Sequence, residues 1–74
     1  MSAKEMFEEL GYKYVKLNDL FCYINKKDNV RIAFVNCEYG KSIIIEDDCH
    51  MATYINRDEL KAINKQIEEL GWNK

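Results

Sequence analysis

Proline is absent from this 74-residue sequence, glycine occurs only three times, and no apolar run is long. Such a composition excludes collagen-like, linker-like and low-complexity chains. The longest aliphatic run, Ile43–Ile45, is far shorter than the roughly 20 apolar residues that span a bilayer. The N-terminal residues Met1–Glu5 lack the apolar core of a secretory signal. We therefore expect a soluble, intracellular protein that makes no membrane contact.

A basic excess is also absent, because 11 lysines and arginines stand against 13 acidic residues, a net charge of −2. Direct binding of nucleic acid is not expected, since that affinity comes largely from neutralising phosphates. The negative charge is concentrated in residues 46–60, which contain one arginine and five acidic side chains: Glu46, Asp47, Asp48, Asp58 and Glu59. This segment is acidic enough to meet a basic protein surface.

The three cysteines cannot all pair within one chain, and together with the missing signal they predict free thiols in a reducing cytosol. A single disulfide is the alternative. Cys22, Cys37 and Cys49 lie 15 and 12 positions apart with no second ligand near any of them, so a zinc site is not expected. We predict no metal and no cofactor.

The densest group of reactive side chains is Glu46–His50, which suggests either a metal or acid–base site or a solvated loop after a strand. Adjacent Cys49 and His50 are poorly spaced to ligate one ion, and the acidic neighbours disfavour the thiolate that cysteine catalysis needs. Gly40–Ser42 lacks the upstream glycine and the following helix of a phosphate-binding loop. We predict a solvated loop, no catalytic residues and no enzymatic activity.

Two amphipathic helices are predicted at the ends of the chain. Ser2 and Glu5 form a capping box, and Gly11 can end the first helix. Asn56 and Glu59 repeat the capping box before the second helix, which Gly71 ends. The predicted buried stripes are Met6, Phe7 and Leu10 in the first helix, and Leu60, Ile63, Ile67 and Leu70 in the second.

Between the helices the pattern changes to short β-rich runs. The predicted strands are Tyr12–Leu17, Leu20–Ile24, Val30–Val35 and Lys41–Glu46, with Met51–Ile55 as a candidate fifth. Polar turns are predicted at residues 25–29 and 36–40. The 47% hydrophobic and 32% charged content suits one small globular domain over residues 1–74. We predict an α+β fold: N-terminal helix, four- or five-stranded antiparallel meander, C-terminal helix, with both helices on one sheet face.

The other sheet face then has no helix to cover it. Either Phe21 with Tyr23, or Leu20 with Cys22 and Ile24, must point away from the helices, and neither set is polar. An apolar patch of this kind is typically used by a partner or by a second copy. The five tyrosines suit half-buried strands, a protein-binding surface or a platform for stacked bases. The tyrosines that we assign to a partner surface are Tyr23 and Tyr54.

The segments 3–12 and 60–72, AKEMFEELGY and LKAINKQIEELGW, resemble the ends of small proteins encoded by prophages and mobile elements of Gram-positive bacteria. This resemblance implies a non-enzymatic accessory protein in the cytoplasm of a bacterial host. Proteins of this size in such elements include inhibitors of host defence, among them anti-CRISPR proteins, which act by stoichiometric binding. The resemblance supplies no functional residue.

Two functions follow as hypotheses. In the first, the chain binds a host protein or nucleoprotein stoichiometrically and inhibits a defence system through its acidic segment. There Glu46, Asp47, Asp48 and Asp58 stand in for phosphates in a basic groove. In the alternative, the chain is a regulatory or structural homodimer of a mobile element, closed through its open sheet face.

Overall fold

The computed structural model describes residues 1–47 and 54–73 of the chain. The elements in chain order are α1 (Ala3–Glu9), β1 (Lys13–Lys16), β2 (Leu20–Asn25), β3 (Val30–Cys37), β4 (Gly40–Asp47) and α2 (Arg57–Leu70). The strands form one antiparallel sheet in the order β1-β2-β3-β4. This confirms the predicted α+β meander between two helices. Of the candidate fifth strand, residues 51–53 lie outside the described residues, and Tyr54 and Ile55 are not in a strand.

Both predicted capping boxes are present. The side chain of Ser2 accepts from the backbone of Glu5 at the start of α1, and Asn56 does the same with Glu59 at the start of α2. In each case the glutamate accepts in return from the backbone N–H of the cap residue. Each box therefore satisfies N–H groups that a helix start leaves without a partner.

The two helices also end alike. Gly11 donates its N–H to the carbonyl of Glu8, and Tyr12 donates to Phe7 at 2.9 Å. At the end of α2 the corresponding donors are Gly71 and Trp72, and Trp72 donates to the carbonyl three residues before the last helical one, at 3.0 Å. Both glycines have positive φ, 92° and 73°, which costs glycine little. The repeated Glu-Glu-Leu-Gly-aromatic sequence thus ends both helices with the same hydrogen-bond pattern.

The register of the sheet decides which side chains share a face. Tyr14, Tyr23, Ile32 and Ile45 form one cross-strand row, and Phe21, Phe34 and Ile43 lie on the same face in the next row. The predicted turn at residues 36–40 is too long, because Asn36 pairs with Lys41 and Cys37 with Gly40. The connection is the two-residue turn Glu38–Tyr39, so β3 ends two residues later and β4 begins one residue earlier than predicted.

The core lies between this face and both helices. It consists of seven buried side chains: Phe7, Tyr12, Tyr23, Ile32, Phe34, Ala62 and Ile63. Phe7 of α1 stacks on Tyr23 with ring centroids 3.9 Å apart and meets Phe34 edge-on. Aromatic pairs in such geometries add to the free energy gained by burial. The helices and the aromatic sheet face therefore hold one another in place.

The buried side of α2 differs from the predicted stripe. Ile63 is buried, but Leu60 and Leu70 are 50% and 37% exposed. Ala62 and Gln66 are buried instead. The buried positions of α2 are thus occupied by the small Ala62 side chain and by the Gln66 amide, which accepts from Tyr23, whereas the two leucines lie in the first and last turns of the helix. No helix of the described residues is long and apolar enough to cross a membrane.

Candidate functional site

The sheet face opposite the helices carries a mainly apolar surface, which we call the open sheet face. Its position follows from the strict alternation of strand side chains and from the cross-strand register. The apolar members are Val15, Leu20, Cys22, Ile24, Ala33, Val35 and Ile44. None of them belongs to the core cluster beneath the helices. Of the two sets that the sequence left open, Leu20, Cys22 and Ile24 are the ones that point away from the helices.

The centre of the open sheet face is a row of small and aliphatic residues, Val15, Cys22, Ala33 and Ile44. Cys22 and Ala33 have little exposed area because they are short and sit on inner strands, whereas Ile44 on the edge strand is 44% exposed. Burial raises the pKa of the Cys22 thiol above its usual range. Cys22 is therefore a small apolar side chain in this surface rather than a reactive thiolate.

Charged residues border the apolar area at one end. Lys13, Ile24, Arg31 and Glu46 form one cross-strand row. Arg31 donates to the carboxylate of Glu46 at 2.7 Å, and both side chains are about half exposed. The hydrogen bond to Glu46 raises the pKa of Arg31. Two positive side chains and one negative give this row a charge of +1, so the open sheet face is not acidic.

The predicted acidic residues are divided between different places. Glu46 is on the open sheet face and is paired with Arg31. Asp47 ends β4 with its side chain on the helix-covered side and is half-buried. Asp58 lies in the first turn of α2, where a carboxylate also stabilises the helix dipole. Asp48 lies outside the described residues, as do Cys49 and His50.

The two predicted tyrosines have opposite environments. Tyr54 is 87% exposed and is available to a partner. Tyr23 is 1% exposed, stacks on Phe7 and donates its hydroxyl to Gln66 at 2.6 Å. The assignment of Tyr23 to a partner surface is therefore wrong, because a side chain enclosed by both helices offers no area to another molecule.

Sequence reasoning missed the polar border of the open sheet face. Glu46 was assigned to the acidic segment 46–60 alone, whereas the structure pairs it with Arg31 across β3 and β4. Had the two-residue turn Glu38–Tyr39 been predicted, the pairing of Arg31 with Glu46 would have followed from the sequence. In an antiparallel hairpin the sum of paired residue numbers is constant, so pairing Cys37 with Gly40 also pairs 31 with 46.

Reactive groups are sparse in the described part of the chain. Residues 1–47 and 54–73 contain no cluster of three or more potential metal ligands. Cys37 is an exposed thiol at the end of β3, and its Sγ lies 3.5 Å from the carbonyl oxygen of Gly40. An open depression beside the β2–β3 turn is lined by charges of both signs, Lys26 and Arg31 against Glu46 and Asp47. This depression continues the polar border of the open sheet face.

Comparisons of this chain with protein-family models, with curated proteins and with solved structures found no match.

Proposed function

We propose that this chain is a non-enzymatic binding protein that associates stoichiometrically with another protein through its open sheet face. The observation that supports this proposal is the group of at least partly exposed apolar side chains on that face, Val15, Leu20, Val35 and Ile44, which lie outside the core cluster. Surface that is both apolar and contiguous is unfavourable in water and is typical of interaction sites. The polar border of Lys13, Arg31 and Glu46 supplies the charged rim that such interfaces have.

The size of the face sets a bound on the interaction. Four strands about 4.8 Å apart and about six residues long give an area of roughly 400 Å². A standard protein interface takes about 800 Å² from each partner. A partner that touched only this face of one copy would therefore bind weakly. A tight complex requires contacts on the charged border as well.

A second proposal keeps the acidic segment as the binding element of a phage-type inhibitor of host defence. Its support is the exposure of Glu46 and Asp58, together with the resemblance of both chain ends to proteins of mobile elements. Here the carboxylates replace phosphates in a basic groove, so affinity should fall steeply with salt. The ion pair with Arg31 opposes this role, because it already neutralises Glu46.

Capture from host lysate, with a matched set of variants, separates these proposals. Val15→Lys/Val35→Lys places two charges on the open sheet face, and Leu60→Lys, at a 50% exposed position on α2, is the control. We expect the wild type and the control to recover the same partner, and the double variant to lose it. Equal recovery by all three proteins would argue against the open sheet face. Loss of the partner with Asp58→Lys alone, or at raised salt alone, would favour the acidic mechanism.

A further inference from the structure

The two edges of the sheet differ in a way that points to a second copy of this chain. β1 has only four residues and carries a lysine at each end, Lys13 and Lys16. Short, lysine-flanked strands are a common protection against unwanted strand pairing. β4 has eight residues, no proline, and three consecutive isoleucines at its centre. Among the described residues, no strand pairs with the outer side of β4.

The environment of the isoleucines agrees with an outer edge of β4 to which no described residue adds a strand. Ile43 and Ile45 point to the helix-covered side of the sheet, yet both stay partly exposed. Ile44, on the opposite side, is 44% exposed. The described residues thus leave apolar side chains accessible on both sides of one edge strand. A long apolar edge of this kind is a template for another strand.

We propose that β4 pairs antiparallel with β4 of a second copy, about a twofold axis at Ile44, to form a continuous eight-stranded sheet. In this register Ile44 lies opposite Ile44 of the partner subunit, and Ile43 lies opposite Ile45 of the partner subunit. Lys41 lies opposite Asp47 of the partner subunit, and the same pair recurs on the other side of the axis. The charge order of the strand, positive before the isoleucines and negative after them, is therefore self-complementary.

Other registers fit the sequence less well. A twofold axis perpendicular to the sheet keeps the helices of both copies on the same side of the joined sheet. Directly opposed residues then point to the same side, so their residue numbers must add up to an even number. Moving the axis to Ile43 places Lys41 opposite Ile45, and moving it to Ile45 places Asp47 opposite Ile43. Parallel pairing in register places like charges side by side, which is destabilising. Only the register centred on Ile44 aligns all three isoleucines and both charged residues.

Charge reversal tests this register directly. Lys41→Glu places an acidic side chain opposite Asp47 on both sides of the axis, and Asp47→Lys places a basic side chain opposite Lys41 on both sides. A mixture of the two variants forms a heterodimer in which both cross-strand pairs join an acidic side chain to a lysine, so mixing alone should restore association. The double variant Lys41→Glu/Asp47→Lys exchanges the two charges and makes both cross-strand pairs of opposite sign again. Within one chain, positions 41 and 47 are about 20 Å apart along the strand, so a recovery in the double variant cannot come from a contact inside one subunit.

The measurement is sedimentation velocity over a concentration series at low salt. We expect wild type to show a reversible monomer–dimer equilibrium, and each single variant to dimerise about tenfold more weakly. The double variant should recover wild-type association. A wild type that stays monomeric throughout the series overturns the proposal. A dimer that neither charge reversal weakens also overturns it, because that dimer uses another surface, such as the open sheet face.

Hydrogen exchange of the wild type provides a readout that needs no variant. Pairing at the β4 edge should slow exchange of alternate β4 amides only at concentrations where the dimer forms. Equal protection in the dilute monomer would mean that another part of the same chain covers the edge, and the proposal would fail. Circular dichroism of all three variants confirms that a loss of dimer is not a loss of fold.

Discussion

Replacing Tyr23 by phenylalanine should destabilise this protein without touching any surface that a partner can reach. The hydroxyl of Tyr23 donates to Oε1 of Gln66 at 2.6 Å, and both residues are buried. The ring itself stacks on Phe7 and would be retained in the variant. The substitution therefore removes one hydrogen bond and leaves the Gln66 amide oxygen buried without its donor.

The magnitude follows from these two effects. A typical hydrogen bond contributes about 1 kcal/mol net, and a buried polar atom left without a partner costs about 1–3 kcal/mol. We therefore expect Tyr23→Phe to lower the free energy of unfolding by about 2 kcal/mol. A domain of this size is stable by roughly 4–11 kcal/mol. The melting temperature should fall by about 10 °C, since 1 kcal/mol corresponds to about 4–8 °C in small domains.

Urea unfolding followed by circular dichroism measures this change, with Tyr39→Phe as the control. Tyr39 is 92% exposed in the β3–β4 turn, so loss of its hydroxyl should leave stability unchanged. Adding Gln66→Met to Tyr23→Phe removes the orphaned oxygen, so the double variant should lose less than the sum of the single losses. A Tyr23→Phe variant within about 0.5 kcal/mol of wild type would refute the buried hydrogen bond. If the Tyr23→Phe variant had wild-type stability but bound a partner less well, Tyr23 would instead be part of a binding surface.

Three further predictions concern pH, backbone and surface charge. Burial raises the pKa of Tyr23 to about 12, and burial with the Glu59 carboxylate raises the pKa of Tyr12 further. Because folding raises these two pKa values, the protonated tyrosines stabilise the folded state fully below about pH 10, and this stabilisation is lost as pH rises towards 12. In a pH titration, tyrosinate absorbance should therefore rise over the same range in which circular dichroism shows unfolding. Gly71→Ala should cost about 1 kcal/mol in urea unfolding, because φ at this position is 73°. Glu46→Gln should cost less than about 1 kcal/mol and only at low salt, because its ion pair with Arg31 is half exposed.

The helices could be predicted well because their signals are local. Ser2 with Glu5, and Asn56 with Glu59, are residues three apart whose capping geometry needs no tertiary contact. The positive φ of Gly71 likewise follows from the end of its own helix. The extent of the buried stripe was predicted less well. Leu60 has helical spacing, but whether it is covered depends on how far the sheet extends beneath α2.

The facing of β2 could not be read from its own residues, because both of its sides are apolar. The structure places Phe21 and Tyr23 under the helices, where large rings fill the space beside Phe7 and Phe34. The short Cys22 side chain is left on the open sheet face. The side of β2 that faces the helices is therefore decided by three-dimensional packing and not by sequence alternation. For this reason Tyr23, which was predicted in a partner surface, lies in the core.

The two proposed surfaces meet at Ile44, and this has a consequence for affinity. One copy offers an open sheet face of about 400 Å², which is half of what a stable protein interface takes from each side. Pairing two copies at β4 joins their open faces edge to edge and brings the area to about 800 Å². Dimerisation should therefore strengthen binding of a partner that spans both copies. Linkage requires that such a partner strengthen the dimer by the same factor, so Lys41→Glu should weaken partner binding even though Lys41 lies on the helix-covered side of the sheet.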